Sequence, residues 1–259
     1  MIPLTFPRPA PWPLRAVAAM LSLALALVLG AHAPAAAAEN DEAYAIGLWG
    51  DLPYSAQQES VGLPNLLADM NANDLRFSVH DGDLKAGSGS RCDDALYDRA
   101  RGWFDSLRGA AMFTPGDNDW TDCDRPGNGG FDARERLDRE RQVFFATPFS
   151  MGRQPIAQEV QTQALCLGQA GAVPCVENRR WTLGRVTYVT LNVPGSCNNL
   201  CDTAPDPAEF QARNAANIAW LRDSFAAAVR ECAVAVMVIS QANPGWDRSA
   251  PPARRCAIR

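Results

Sequence analysis

Three aspartates each close a short apolar run in a Gly-Asp pair: Asp51 in WGDLPY, Asp83 in HDGDLKAG and Asp117 in PGDNDW. One such pair is ordinary turn chemistry, with glycine supplying the backbone freedom and aspartate bonding the turn. Three at equivalent places ask for another reason. Ligands of open α/β sheets gather beyond the carboxyl ends of strands, so carboxylates placed there can converge on one point. Converging carboxylates repel one another unless a cation neutralises them, and hard cations take oxygen ligands. The chemistry implied is a divalent metal site. Asp119, Asp122 and Asp124 add charge nearby and suit calcium as well, but Asp81-x-Asp83 lacks the position-six glycine and terminal glutamate of an EF-hand. Gly87-Ser88-Gly89-Ser90 lacks the lysine arrangement of a phosphate-binding loop and reads as a connecting loop.

The elements that must hold these residues follow from periodicity. YAIGLW (44–49), LRFSVH (75–80) and AAMFT (110–114) read as short buried strands. Ser55 with Gln58 forms a capping-box pattern, and Pro64 suits the first turn of the helix that follows. A second helix runs from about Asp94 to Leu107, and residues 131–145 are helical and charged, with RERLDRER read as a solvated face. Gln158–Arg180 has no helical period and reads as a disulfide-held excursion. RRWTLGRVTYVTLN gives two strands around Gly184. Pro207–Arg230 is a long helix with Phe210, Ile218, Leu221, Phe225 and Val229 on one stripe, and AVAVMVIS (233–240) is a fully apolar strand. This alternation predicts an α/β layered fold with a mostly parallel sheet and later β-rich additions.

The order of the three Gly-Asp motifs over residues 44–246 resembles the calcineurin-like metallophosphoesterases. RRWTLGRVTYVTLN resembles that family's middle-sheet strand pair, and NIAWLRDSF its Trp-Leu helix. The resemblance implies a four-layered αββα sandwich of two mixed sheets, with metal ions at the strand ends. It places Asp51 at the first aspartate ligand, Asp83 at the metal-bridging aspartate, Asp117 at the asparagine ligand and Gln241 at a histidine ligand. Asn118 stands where the family has the histidine that assists the leaving group. Departures are plain: Pro53 replaces a histidine ligand, and the last Gly-His-x-His loop has no counterpart. An all-oxygen set favours Mg²⁺ or Mn²⁺, or Ca²⁺, over Zn²⁺.

His80 and Lys85 flank Asp83. His80 reads first as a structural residue and otherwise as a replacement acid. Lys85 reads first as a local counter-charge and otherwise as a phosphate contact. Tyr54, beside Asp51, could donate to a phosphate oxygen. The implied function is an exported metal-dependent phosphoester hydrolase acting on a small-molecule phosphoester. The alternative is a non-catalytic, cation-binding secreted module of the same fold.

Composition narrows the field. The 259-residue chain carries a net charge of −5, two histidines and one lysine. Arg15, the apolar run to Gly30 and the Ala36/Ala38 cleavage pattern predict a secretory signal over residues 1–38. Cutting 38 residues from 259 leaves 221, and losing Arg8 and Arg15 takes the charge from −5 to −7. His80 is then the sole histidine, which excludes a multi-histidine zinc site. A negative chain without a Lys/Arg cluster lacks the footprint of a nucleic-acid binder. No later segment reads as a membrane span, so a secreted or periplasmic domain, 39–246, is expected.

Eight cysteines, all beyond residue 38, favour disulfides, with Cys166/Cys175 and Cys197/Cys201 as local pairs. Cys92/Cys123 would tie the second and third aspartate loops together. Cys232, opening a strand, reads equally as a buried free thiol. After Trp246 the chain turns to DRSAPPARRCAIR, an irregular tail over 247–259. The resembled family continues there with another strand and a ligand loop. The sandwich is therefore expected to lack its C-terminal strand or strands, leaving 233–240 with an uncovered neighbour.

Overall fold

The apolar runs become strands close to their expected limits in the computed structural model, which describes residues 43–243. Strands β1 (Ala45–Trp49), β2 (Leu75–His80) and β3 (Ala110–Phe113) pair in parallel, in that order. Parallel neighbours need crossover connections, and helices α1 (Leu63–Ala72) and α2 (Asp94–Ser106) supply them. Helix α3 (Ala133–Phe144) follows β3. The Ser55/Gln58 signal is realised where Ser55 Oγ accepts the Gln58 amide at 3.2 Å, ahead of α1. Asp93 and Asp132 cap α2 and α3 by accepting the N–H groups of Leu96 and Glu135.

The excursion resolves into β4 (Glu159–Val160) and a small hairpin, β5 (Cys166–Gly168) with β6 (Gly171–Val173). Then β7 (Arg179–Leu183) and β8 (Val186–Thr190) pair antiparallel across Gly184-Arg185, both at positive φ, as a two-residue hairpin turn requires. Helix α4 (Pro207–Arg230) carries the chain to β9 (Ala235–Ile239), which lies parallel to β8. The second sheet is therefore mixed, in the order β4-β7-β8-β9, and β9 forms its edge among the described residues.

Alternation along the strands builds the layers. Phe77, Val79, Ala110 and Met112 face Trp181, Tyr188 and Ile239 of the second sheet. The opposite face of the first sheet, with Trp49, Ala111 and Phe113, packs on Leu63, Leu67, Leu96, Phe104 and Phe144 of α1–α3. On the far side, Trp220 of α4 packs on Val189 and Leu191. The result is an α/β sandwich in four layers, its first sheet wholly parallel and its second mixed. Removing a fully buried aromatic such as Phe77 would cost about 3–5 kcal/mol. The predicted signal (1–38) and tail (247–259) lie outside the described residues.

Two helices depart from the faces their sequences suggest. The RERLDRER stretch is not a solvated face: Arg136, Glu140 and Arg141 are all buried. Arg141 grips buried Glu177 through two bonds of 2.7 and 2.9 Å, and Arg136 lies 4.7 Å above the Phe131 ring while donating to the Cys92 carbonyl. Nor does α4 bury most of its apolar stripe, of which Leu221 packs on the core and Phe210 is half-buried. Its inward residues are Glu209, Arg213, Ala216, Asn217, Trp220, Ser224, Ala227 and Ala228, whereas Ile218, Phe225 and Val229 are exposed.

The cysteines pair as 92–123, 166–175 and 197–201. Three disulfides fit folding in an oxidising compartment. Cys232 is exposed rather than buried and forms no disulfide among the described residues. No helix among those residues is long and apolar enough to cross a membrane.

Candidate functional site

The loops after β1, β2 and β3 meet on Asp83. The Tyr54 hydroxyl reaches Asp51 Oδ1 at 2.7 Å and Asp83 Oδ2 at 2.8 Å. Asn118 donates its side-chain amide to Asp83 Oδ2 (2.8 Å) and its backbone N–H to Oδ1 (3.2 Å). Asp51 and Asp83 both adopt left-handed backbone, at φ 55° and 64°, which costs an aspartate less than most residues. The first two loops are also joined through their backbones, Asp51 N–H to the Gly82 carbonyl at 3.1 Å.

Asp119 clamps the second loop to the third. Its two oxygens accept the backbone N–H groups of Asp83 (2.8 Å), Leu84 (2.6 Å) and Gly116 (2.8 Å). The approach is close enough that only glycine fits at Gly82: φ is 104°, and a Cβ there would lie 2.5 Å from the Gly116 nitrogen. The Cys92–Cys123 bond fastens the same two loops covalently. Gln241, just beyond β9, brings its Cγ against both Gly82 and Gly116 while its Oε1 accepts the Gly195 N–H at 2.6 Å.

A second acidic group adjoins the first. The Ser196 hydroxyl lies 2.8 Å from Asp117 Oδ2 and 2.7 Å from Asp122 Oδ1, so it links two carboxyls with a single hydrogen to give. Arg125 pairs with Asp122 (2.7 Å) and Asp202 (2.9 Å). Burial, then the Asp202 carboxyl beside it, pushes Asp122 up to about 8, making it a carboxyl that can carry a proton of its own. Asp83 is pushed up to about 9 by burial and then by the charges of Asp119 and Asp117. Burial also raises Asp119, to about 6, against the pull of its three amides. The Tyr54 phenol is held well above its usual range by burial and its bond to Asp51. These carboxyls crowd one another in a place where added positive charge would be favourable.

Tyr54, Asp51, Asp83, Asn118, Asp117 and Gln241 are thus drawn to one end of the first sheet. His80 is not among them. It is fully buried, packed on Trp49 at 4.5 Å and near Phe104 and Phe113, and its Nδ1 accepts the Gly82 N–H at 3.1 Å. Burial pulls its pKa down to about 3, so it is a neutral imidazole supporting the loop. Lys85 is buried too, its Nζ on the Ala86 carbonyl at 3.2 Å, lowered by burial against the charges of Asp119, Asp122 and Asp83. Its surroundings are those of a counter-charge.

Among the described residues, no three His, Cys, Asp or Glu side chains gather closely enough to hold a metal by themselves. Amide and phenol oxygens would have to complete any donor set. As arranged, Asn118 turns its amide nitrogen to Asp83, and Tyr54 occupies one oxygen each of Asp51 and Asp83. Ser196, Asp202 and the clamping role of Asp119 carry no sequence signal of their own. Only the Asp-rich run 117–124 hints at them. Compared with known protein families, curated proteins and solved structures, the chain matches none.

Proposed function

We propose that this chain is an exported, metal-dependent phosphoester hydrolase whose site is the cluster of loops beyond β1, β2 and β3. The observation that carries the proposal is the meeting of all three loops on Asp83, through Tyr54 and Asn118. It gives physical support to the resemblance drawn from the Gly-Asp motifs. The donors available for a cation are Asp51, Asp83 and Asp117, with the Gln241 amide oxygen. Being all oxygen, they suit Mg²⁺ or Mn²⁺ rather than Zn²⁺. Such an ion would offset the crowded negative charge, and when bound it supplies charge for phosphoryl oxygens and acidifies water.

Around it the chain's own groups have separate tasks. The Tyr54 hydroxyl, on a residue 39% exposed, is the donor best placed for a phosphate oxygen once it leaves the carboxylates. Asn118 orients Asp83, and Lys85 limits the negative field beneath. The substrate class is a small-molecule phosphoester, and the disulfides favour a secreted or periplasmic setting.

A second reading, a cation-binding module without turnover, is favoured by one observation: the sole histidine of the described residues is shut in the core, away from any leaving group. Metal content and Mn²⁺-dependent cleavage of an aryl phosphate, in wild type and Asp83→Ala, separate the two. Hydrolysis lost in Asp83→Ala supports the enzyme. Metal bound without turnover supports the module, and neither metal nor turnover defeats both.

A further inference from the structure

We propose that the Cys197–Cys201 disulfide is a redox-sensitive latch that holds a left-handed turn against the acidic loops. Ser196, Cys197, Asn198 and Asn199 have φ of 47°, 55°, 59° and 70°, four successive left-handed residues with no glycine among them. L-residues avoid this conformation because Cβ crowds the following carbonyl, and even asparagine visits it singly rather than in runs. Two backbone bonds close the turn on itself, Leu200 and Cys201 N–H to the Ser196 carbonyl at 3.3 and 3.2 Å. The disulfide, spanning a separation of four residues, is its covalent restraint.

Ser196 contacts Asp117 and Asp122 and accepts from Arg125 at 3.3 Å. Gly195 N–H meets Gln241, and Asn199 donates to Glu209 of α4 at 2.8 Å. The three disulfides differ sharply in access. Cys92, Cys123, Cys166 and Cys175 are at most 1% exposed, whereas Cys197 and Cys201 both face solvent. A dithiol reductant can therefore reach this pair first. Its thiolate attacks one sulfur to give a mixed disulfide, and its second thiol then displaces the protein sulfur. Two electrons and two protons pass to Cys197 and Cys201, which end as thiols, while the reductant leaves as a cyclic disulfide. Released, the turn relaxes toward right-handed or extended backbone, and Ser196 lets go of Asp117 and Asp122.

The test uses the oxidised full chain under native conditions, with graded dithiothreitol, differential alkylation and mass spectrometry. Cys197 and Cys201 are expected to be labelled while the other two pairs stay bonded. Hydrogen exchange should then quicken by about 10-fold or more at the amides of Gly195, Leu200, Cys201 and Asp206, and across 117–124, with the sheets unchanged. Cys197→Ser/Cys201→Ser should show the fast pattern without reductant and no further response to it. Should that variant not fold, the reductant arm decides alone. The latch is overturned if no pair is reduced, if the buried pairs open with or before 197–201, or if reduction leaves exchange over 117–124 unchanged.

Discussion

At the scale of single residues, Asp83 carries more of the site than Asp51. It receives both Tyr54 and Asn118, and its backbone is fixed by Asp119, while Asp51 receives Tyr54 from the exposed side. If the cation site is as proposed, Asp83→Asn should reduce Mn²⁺ binding more than Asp51→Asn, as titration calorimetry would measure. Equal losses would count against the central place given to Asp83. His80 makes a different prediction. Its folded pKa of about 3 lies below the value near 6.5 of an unfolded chain, so the unfolded state binds the extra proton. Its neutral burial is therefore free of penalty above about pH 6.5 and progressively destabilising as pH falls toward 3, by about 2–3 kcal/mol at pH 4.5. His80→Asn, which keeps an acceptor for the Gly82 N–H, should show a flatter loss of denaturation midpoint between pH 7 and 4.5. Parallel profiles would rule this out. That Asp51, Asp83 and Asp117 follow the ends of β1, β2 and β3 is legible in the sequence, because a Gly-Asp pair after an apolar run is a local pattern. The contacts of Ser196 are not, because its partners lie 79 and 74 residues away in the chain and nothing local announces them.

At the scale of elements, strands were easier to read than helix faces. A short apolar run ending in Gly-Asp or Pro-Gly has few alternatives, and β2 keeps its expected limits, Leu75–His80. Helix α3 misleads because charge is normally a sign of solvent, yet Arg141 and Glu177 satisfy each other inside. Arg141 holds Glu177 low despite complete burial. Cutting that pair leaves a carboxylate buried without its partner, so Arg141→Ala should cost about 3–5 kcal/mol in urea unfolding. Arg139→Ala on the same helix, whose Asp98 partner side chain is 65% exposed, should cost less than about 1 kcal/mol. Similar losses in the two variants would refute the buried pair as a structural element. Helix α4 misleads in the opposite sense. Around Trp220, its inward face is built from small, amide and paired charged residues, which a count of apolar positions passes over.

At the scale of the whole molecule, the layering is accessible from the alternation of strands and helices, but the exposed apolar surface is only partly so. Among the described residues β9 is the edge of its sheet. Val234 (64% exposed) and Val238 (43%) are exposed, and so are Phe225 and Val229 of α4; the latter two are not legible in the sequence, because their exposure depends on how α4 is rolled. An apolar edge strand invites pairing with other chains. Val238→Lys should lower aggregation, read by light scattering, while shifting stability by no more than about 0.5 kcal/mol. Unchanged scattering would show that this flank is not where chains associate. The Cys92–Cys123 bond has a consequence of another sort. It joins residues separated by 31 positions, a stretch that includes all of α2 and β3. A protease that cuts the main chain anywhere inside that span severs a peptide bond without separating the pieces, because the two sulfurs still tie them. The face that carries the acidic loops can therefore be nicked and remain one covalent body.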